Sequence, residues 1–185
     1  MDCGRLTRYA ERAFERAGRA GIGIIVFGSG AARMVSGDYP PRQAFDDFIG
    51  TLRLLGPMAE RHGVTLVIEP LNKSECNFIN SLAEGAEAVE HCDHPNIRLL
   101  ADLYHMLKEG EPASEIVRFG HLIRHTHAAE LAGRSHPGKS RENFRPFFQA
   151  LRQIGYAGPI SLECRWDDIR TDLGPSAHYL RGQMA

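Results

Sequence analysis

The sequence has no apolar run approaching the roughly 20 residues that a bilayer span requires, so no transmembrane helix is expected. It has no excess of one charge either. Twenty-two Lys and Arg are interspersed with 23 Asp and Glu for a net charge of -1, which argues against a binder of nucleic acid through a broad basic surface. Cysteine is sparse: Cys3, Cys76, Cys92 and Cys164 lie scattered without a CxxC pair. That argues against a disulfide framework and fits reduced thiols in a cytoplasmic protein. No linker, low-complexity tract or short repeat divides the chain. The opening MDCGRLTRYAERAFERAGRAG interleaves Arg and Glu as an amphipathic helix does, and is not expected to be a signal peptide. What is present is an ordinary globular composition, 43% hydrophobic and 24% charged over 185 residues, enough for one domain with a core.

Two kinds of segment alternate along the chain. Short apolar runs at Ile22–Phe27, Val64–Ile68, Ile97–Ala101, Leu122–Thr126 and Pro159–Leu162 are too short for helices and read as strands covered on both faces. Between them lie helical patterns. Arg42–His62 places apolar residues at three- and four-residue steps, with Pro57 expected to kink or split it and Gly63 to end it. Ser81-Leu82-Ala83-Glu84 is a capping box opening a helix to about Cys92. Further helices are expected at Glu111–Phe119, at Asn143–Ile154 and within Asp167–Met184. Right-handed crossovers between such units make a parallel α/β fold.

The stretch Leu66–Asn72, LVIEPLN, ends a buried-type run on a carboxylate, and an unpaired buried carboxylate costs several kcal/mol. The later strands end alike. Asp102, His127 and Glu163 follow the third, fourth and fifth runs, as Glu69 follows the second. Parallel strands deliver these ends to one face, where four side chains could converge on a single divalent ion. Taken singly, each is more often a helix cap or a surface group; the series in one structural position favours ligands. Three carboxylates and one imidazole suit Mn²⁺, Mg²⁺ or Co²⁺, with Zn²⁺ also accommodated.

The segments VIEPLNKSE, LLADLYHM, RHTHAAE and ISLECRW resemble the xylose isomerase-like TIM-barrel superfamily, in particular its sugar isomerase/epimerase branch that includes D-tagatose 3-epimerase and hydroxypyruvate isomerase. The resemblance runs from about Ile22 to Trp166. It implies a metal-dependent isomerase or epimerase acting on a small ketose or related hydroxy-carbonyl substrate through a cis-enediolate. It places the ion, Mn²⁺ by preference, on Glu69, Asp102, His127 and Glu163. Glu69 and Glu163 would also move the proton, and Glu75, His105 and Arg134 would contact substrate. Arg134 sits one residue farther from its strand than in relatives. A complete (β/α)8 barrel needs about 250 residues; the resemblance therefore implies strands four to eight of an incomplete barrel. The first three βα units are expected to be missing, with an incomplete reading frame the favoured account over an excised piece or a fragment that another chain completes. Open sheet edges would then favour association, including homo-oligomers.

Other residues carry weaker signals. Phe27-Gly28-Ser29-Gly30 lacks the Lys-Ser/Thr of a phosphate loop and reads as a strand-end turn, with Ala31–Pro41 placed to cover the site. His125 is expected to be a packed interior histidine, and His62, His91, His94, His121, His136 and His178 to be solvated. Trp166 is read equally as a pocket wall or a cap. Rival functions are an inosose dehydratase-like lyase of the same superfamily, an inactive metal-binding fragment, and an apurinic-site endonuclease. The last needs several metals and a basic face that the sequence does not show.

Overall fold

The computed structural model describes residues 3–185. Helix α1 (Cys3–Arg19) leads into β1 (Ile24–Phe27), a single-turn helix α2 (Gly30–Arg33) and the long helix α3 (Pro41–Arg61). Then follow β2 (Thr65–Ile68), α4 (Leu82–Cys92), β3 (Ile97–Asp102), α5 (Leu103–Glu109), α6 (Ser114–Phe119) and β4 (Ile123–His127). A 3₁₀ turn (Ala132–Arg134), α7 (Arg145–Gln153), β5 (Ile160–Ser161) and α8 (Ile169–Met184) complete the chain. Met1 and Asp2, which begin the expected first helix, lie outside the described residues.

All five strands are parallel, in the order β1-β2-β3-β4-β5. Each new strand is added beside the last, so the sheet winds in one direction as a barrel wall does and has no reversal of strand order. It forms a half-barrel with helices on its outer side. The core lies between them: Leu52 and Ala59 of α3, Ala86 of α4, Ile97 and Leu99 of β3 and Ile116 of α6 are fully buried. β1 and β5 are the edges, and β1 is only half-buried along its length.

Local differences from the expected elements have local causes. Pro57 does not split α3, because Pro57 and Arg53, whose carbonyl loses its partner, both lie on the solvent side. The capping box opens α4 with a shifted return bond. Ser81 Oγ accepts from the Glu84 N–H at 3.2 Å, while Glu84 Oε2 accepts from the Asn80 N–H at 2.6 Å, one residue earlier than the motif prescribes. The helix expected from Glu111 begins only at Ser114, since the Glu111 carboxylate instead accepts from the Leu82 N–H at 2.8 Å, at the start of α4. Helix α5 was not foreseen. Its signal is Asp102, whose Oδ1 accepts from the Tyr104 and His105 N–H groups at 2.8 and 3.1 Å.

Candidate metal centre

The register of the sheet levels the strand ends. Asp102 pairs with His127 and His127 with Ser161, after a bulge between Leu99 and Leu100 that realigns β3 against β4. Glu69 follows β2 directly, and Glu163 comes two residues after the end of β5. Four side chains from four successive strand ends are thereby brought together: one ligand-type atom from each of Glu69, Asp102, His127 and Glu163 lies within 4.8 Å of the others. His127 Nδ1 is at the centre, 3.0 Å from Glu69 Oε1 and 3.4 Å from both Asp102 Oδ2 and Glu163 Oε2. Ligands about 2.1 Å from an ion stand about 3.0 Å apart at right angles and about 3.4 Å apart at tetrahedral angles. The donor set and its spacing fit a divalent cation. Asp102 satisfies both readings of a strand-end acid, with Oδ1 capping α5 and Oδ2 facing the centre.

Burial sharpens the electrostatics. Glu69, Asp102 and His127 are buried, while the Glu163 side chain is about half exposed. Desolvation pushes the Glu69 carboxyl up to about 7, against the hydrogen bond to His127. Burial alone would lower the His127 imidazole, but its contacts with Asp102, Glu163 and Glu69 push it up to about 11. The three carboxylates thus call for positive charge at one point, the charge that a dication brings.

The residues expected to contact substrate flank this centre. Arg134 forms an ion pair with Glu163, lies 3.3 Å from Glu75 Oε2, and places its guanidinium 4.8 Å above the Tyr104 ring. Arg134 closes the 3₁₀ turn. There Gly133 (φ 67°) and Arg134 (φ 54°) both take the left-handed conformation, and the Arg165 N–H donates to the Arg134 carbonyl at 2.7 Å. His105 is buried with Nδ1 held by Asn72, and its Nε2 has no hydrogen-bond partner among the described residues.

Three supporting groups were not singled out from the sequence. Gly28 lies against Glu69: a Cβ there would come 1.7 Å from Glu69 Oε2. The strand-end glycine of FGSG is thus explained by a carboxylate. Arg33 donates to the carbonyls of Phe27 and Glu69 at 3.1 and 2.8 Å, latching the segment after β1 beside the centre. Glu130, fully buried, accepts from the Gly138 and Glu142 N–H groups at 2.6 and 3.2 Å and so organises the loop that carries Arg134. Glu130 and Asn72 each belong to a strand-end segment already picked out, but the Gly138 and His105 partners that give them their roles lie 8 and 33 residues away and leave no local pattern.

His125 is an interior histidine as expected, buried with Nε2 3.0 Å from Ser161 Oγ. Three histidines expected to be solvated are not. His62 lies 2.8 Å from Glu11 Oε1, His94 packs against Gly56, and His136 stacks on Trp166 with Nδ1 2.9 Å from Ser176 Oγ. Each is drawn in by a helix that only the fold brings near. A cavity of about 410 Å³ between α3 and the segment after β1 is lined by Phe27, Tyr39, Phe48 and Phe78, and none of the four converging groups lines it.

A model of the xylose isomerase-like TIM barrel matches residues 4–183. The chain belongs to that family. It is 30% identical over 131 residues to an L-ribulose 3-epimerase of Methylomonas sp. (strain DH-1), covering 69% of this chain and 46% of that protein. It is 32% identical over 116 residues to a D-psicose 3-epimerase of Ruminiclostridium cellulolyticum, covering 62% and 39%. The chain thus spans less than half the length of these relatives. Among solved structures, a 3-keto-D-glucoside 4-epimerase from E. coli in its apo form superposes with a TM-score of 0.86 at 24% identity, over 95% of this chain and 70% of that one. The likeness matches this half-barrel to part of a TIM-barrel fold.

Proposed function

We propose that this chain carries the metal centre of a ketose epimerase or isomerase, with Mn²⁺ the preferred ion. The observation that supports this most is the convergence of Glu69, Asp102, His127 and Glu163 from four successive strand ends. That relatives spanning the same segment are named ketose 3-epimerases points to a small unphosphorylated ketose as substrate. A divalent ion held by these four residues would polarise a substrate carbonyl and acidify the neighbouring C–H.

The protein's own groups divide the remaining work. Glu69 and Glu163 come from the outermost of the four strand ends, so a sugar seated over the centre has one carboxylate on either flank. One removes the proton beside the carbonyl and the other returns a proton from the opposite side, which inverts that carbon. Glu75, His105 and Arg134 hold the sugar's oxygens, and the Arg134–Glu163 ion pair orients the more exposed carboxylate. In this reading the barrel is one domain, completed by further βα units against the free edges of β1 and β5.

The test is solvent exchange. Metal-loaded protein in D₂O, given D-psicose, L-ribulose and D-tagatose, should place deuterium on the carbon beside the carbonyl. Glu163→Gln should abolish the exchange, with bound metal counted by elemental analysis in both proteins. No exchange with any of the three sugars at full metal occupancy would sink the proposal.

A further inference from the structure

Asn72 is fully buried, three residues after Glu69, and both ends of its amide are engaged. Oδ1 accepts from the Ser74 N–H at 3.1 Å and from Ser74 Oγ at 2.5 Å. Nδ2 donates to Glu75 Oε1 at 2.8 Å and lies 2.8 Å from His105 Nδ1. Partners of fixed character decide which end is which. A backbone N–H can only donate and must face the oxygen; a carboxylate can only accept and must face the nitrogen. His105 Nδ1 therefore meets an amide donor, and it meets a second in the Asn72 backbone N–H at 3.2 Å. A ring nitrogen facing two N–H donors must present its lone pair, so the ring proton resides on Nε2. That atom is buried, has no partner among the described residues, and lies 3.9 Å from Asp102 Oδ2, too far for a hydrogen bond but at the edge of the centre.

We infer that Asn72 is a positioning residue that locks His105 in its Nε2–H tautomer and so makes Nε2 a hydrogen-bond donor to a substrate oxygen beside the metal centre. The other tautomer would turn a lone pair toward that oxygen and offer it no proton. The same amide fixes Glu75, so one buried side chain sets two groups that face substrate. The identity of the acceptor oxygen rests on the proposed function; the tautomer does not.

Long-range ¹H–¹⁵N NMR of ¹⁵N-histidine-labelled, Mg²⁺-loaded protein reads the tautomer directly. His105 should carry its proton on Nε2 and show an unprotonated Nδ1. Asn72→Asp keeps the oxygen that Ser74 needs but exchanges the amide donor for an acceptor. It should move a proton onto Nδ1 and lower kcat for deuterium exchange about 100-fold, the scale of losing one donor to a reacting oxygen, with KM little changed. A merely structural Asn72 would leave the His105 spectrum of Asn72→Asp like that of the unaltered protein, and that result overturns the inference. So does an Nδ1 proton in the unaltered protein, a measurement that stands even if the variant does not fold. An Nε2–H tautomer with no exchange of any ketose would sink the proposed function and leave the lock intact. An Nδ1–H tautomer with exchange would do the reverse.

Discussion

Gly28 has no side chain because Glu69 occupies the space that one would need. Gly28→Ala puts a methyl within 1.7 Å of Glu69 Oε2, and the flexible carboxylate rather than the backbone is the part able to yield. Its displacement would draw one of the four converging carboxylate and imidazole groups away from the proposed ion. The expected result is a metal affinity lower by about 10- to 100-fold, the range for disturbing a group that orients a ligand, with the melting temperature of the metal-free protein changed far less. Titration calorimetry of both proteins with Mn²⁺ checks this, and equal affinities would show that Glu69 needs no such room. A strand-end glycine could be read from the sequence as a relaxed turn. Its actual constraint comes from a residue 41 positions later that only strand pairing places beside it.

At the scale of elements, the helices after the strands do two jobs at once. Asp102 caps α5 with one oxygen and faces the centre with the other, so the helix start fixes the rotamer of this carboxylate. Glu111 performs a similar service at the start of α4, but burial pushes its carboxyl from the ordinary 4.5 up to about 7. A folded-state value above the unfolded one means that its stabilising contribution is complete below about pH 4.5 and is lost as the pH rises through 7. Glu111→Gln keeps the oxygen that accepts from Leu82 and has no charge to desolvate. It should match the unaltered protein near pH 4.5 and exceed it by about 1–2 kcal/mol at pH 8, after discount for partial exposure. Urea midpoints at the two pH values decide, and an equal difference at both would refute the assignment.

For the whole molecule, the half-barrel has two sheet edges without a neighbouring strand among the described residues and a bundle of acids at one end. An ion that binds only the folded chain stabilises it by mass action, about 2.7 kcal/mol at a hundredfold excess over Kd. Mn²⁺ should therefore raise the melting temperature, EDTA should return it, and Asp102→Ala should remove the response; a melting curve indifferent to both reagents would argue against the centre. The edges predict a second behaviour. Among the described residues the outer edges of β1 and of the two-residue β5 have no neighbouring strand, with Ile22 51% exposed beside β1. The 185-residue chain by itself should self-associate, as analytical ultracentrifugation would reveal. A monodisperse monomer with one cooperative thermal transition would show that the edges are adequately protected.

The alternation of apolar runs and amphipathic segments was enough to determine five parallel strands with outer helices, because burial on both faces leaves its mark in composition and period. The serial placement of Glu69, Asp102, His127 and Glu163 was legible for the same reason: in a parallel sheet, strand ends share one face. Tertiary structure alone decided what surrounds them. The room left by Gly28, the latch of Arg33, the loop wound on Glu130 and the amide of Asn72 against His105 join residues up to 41 positions apart. Such pairings depend on strand register and the bulge in β3, and no local pattern in the chain encodes them.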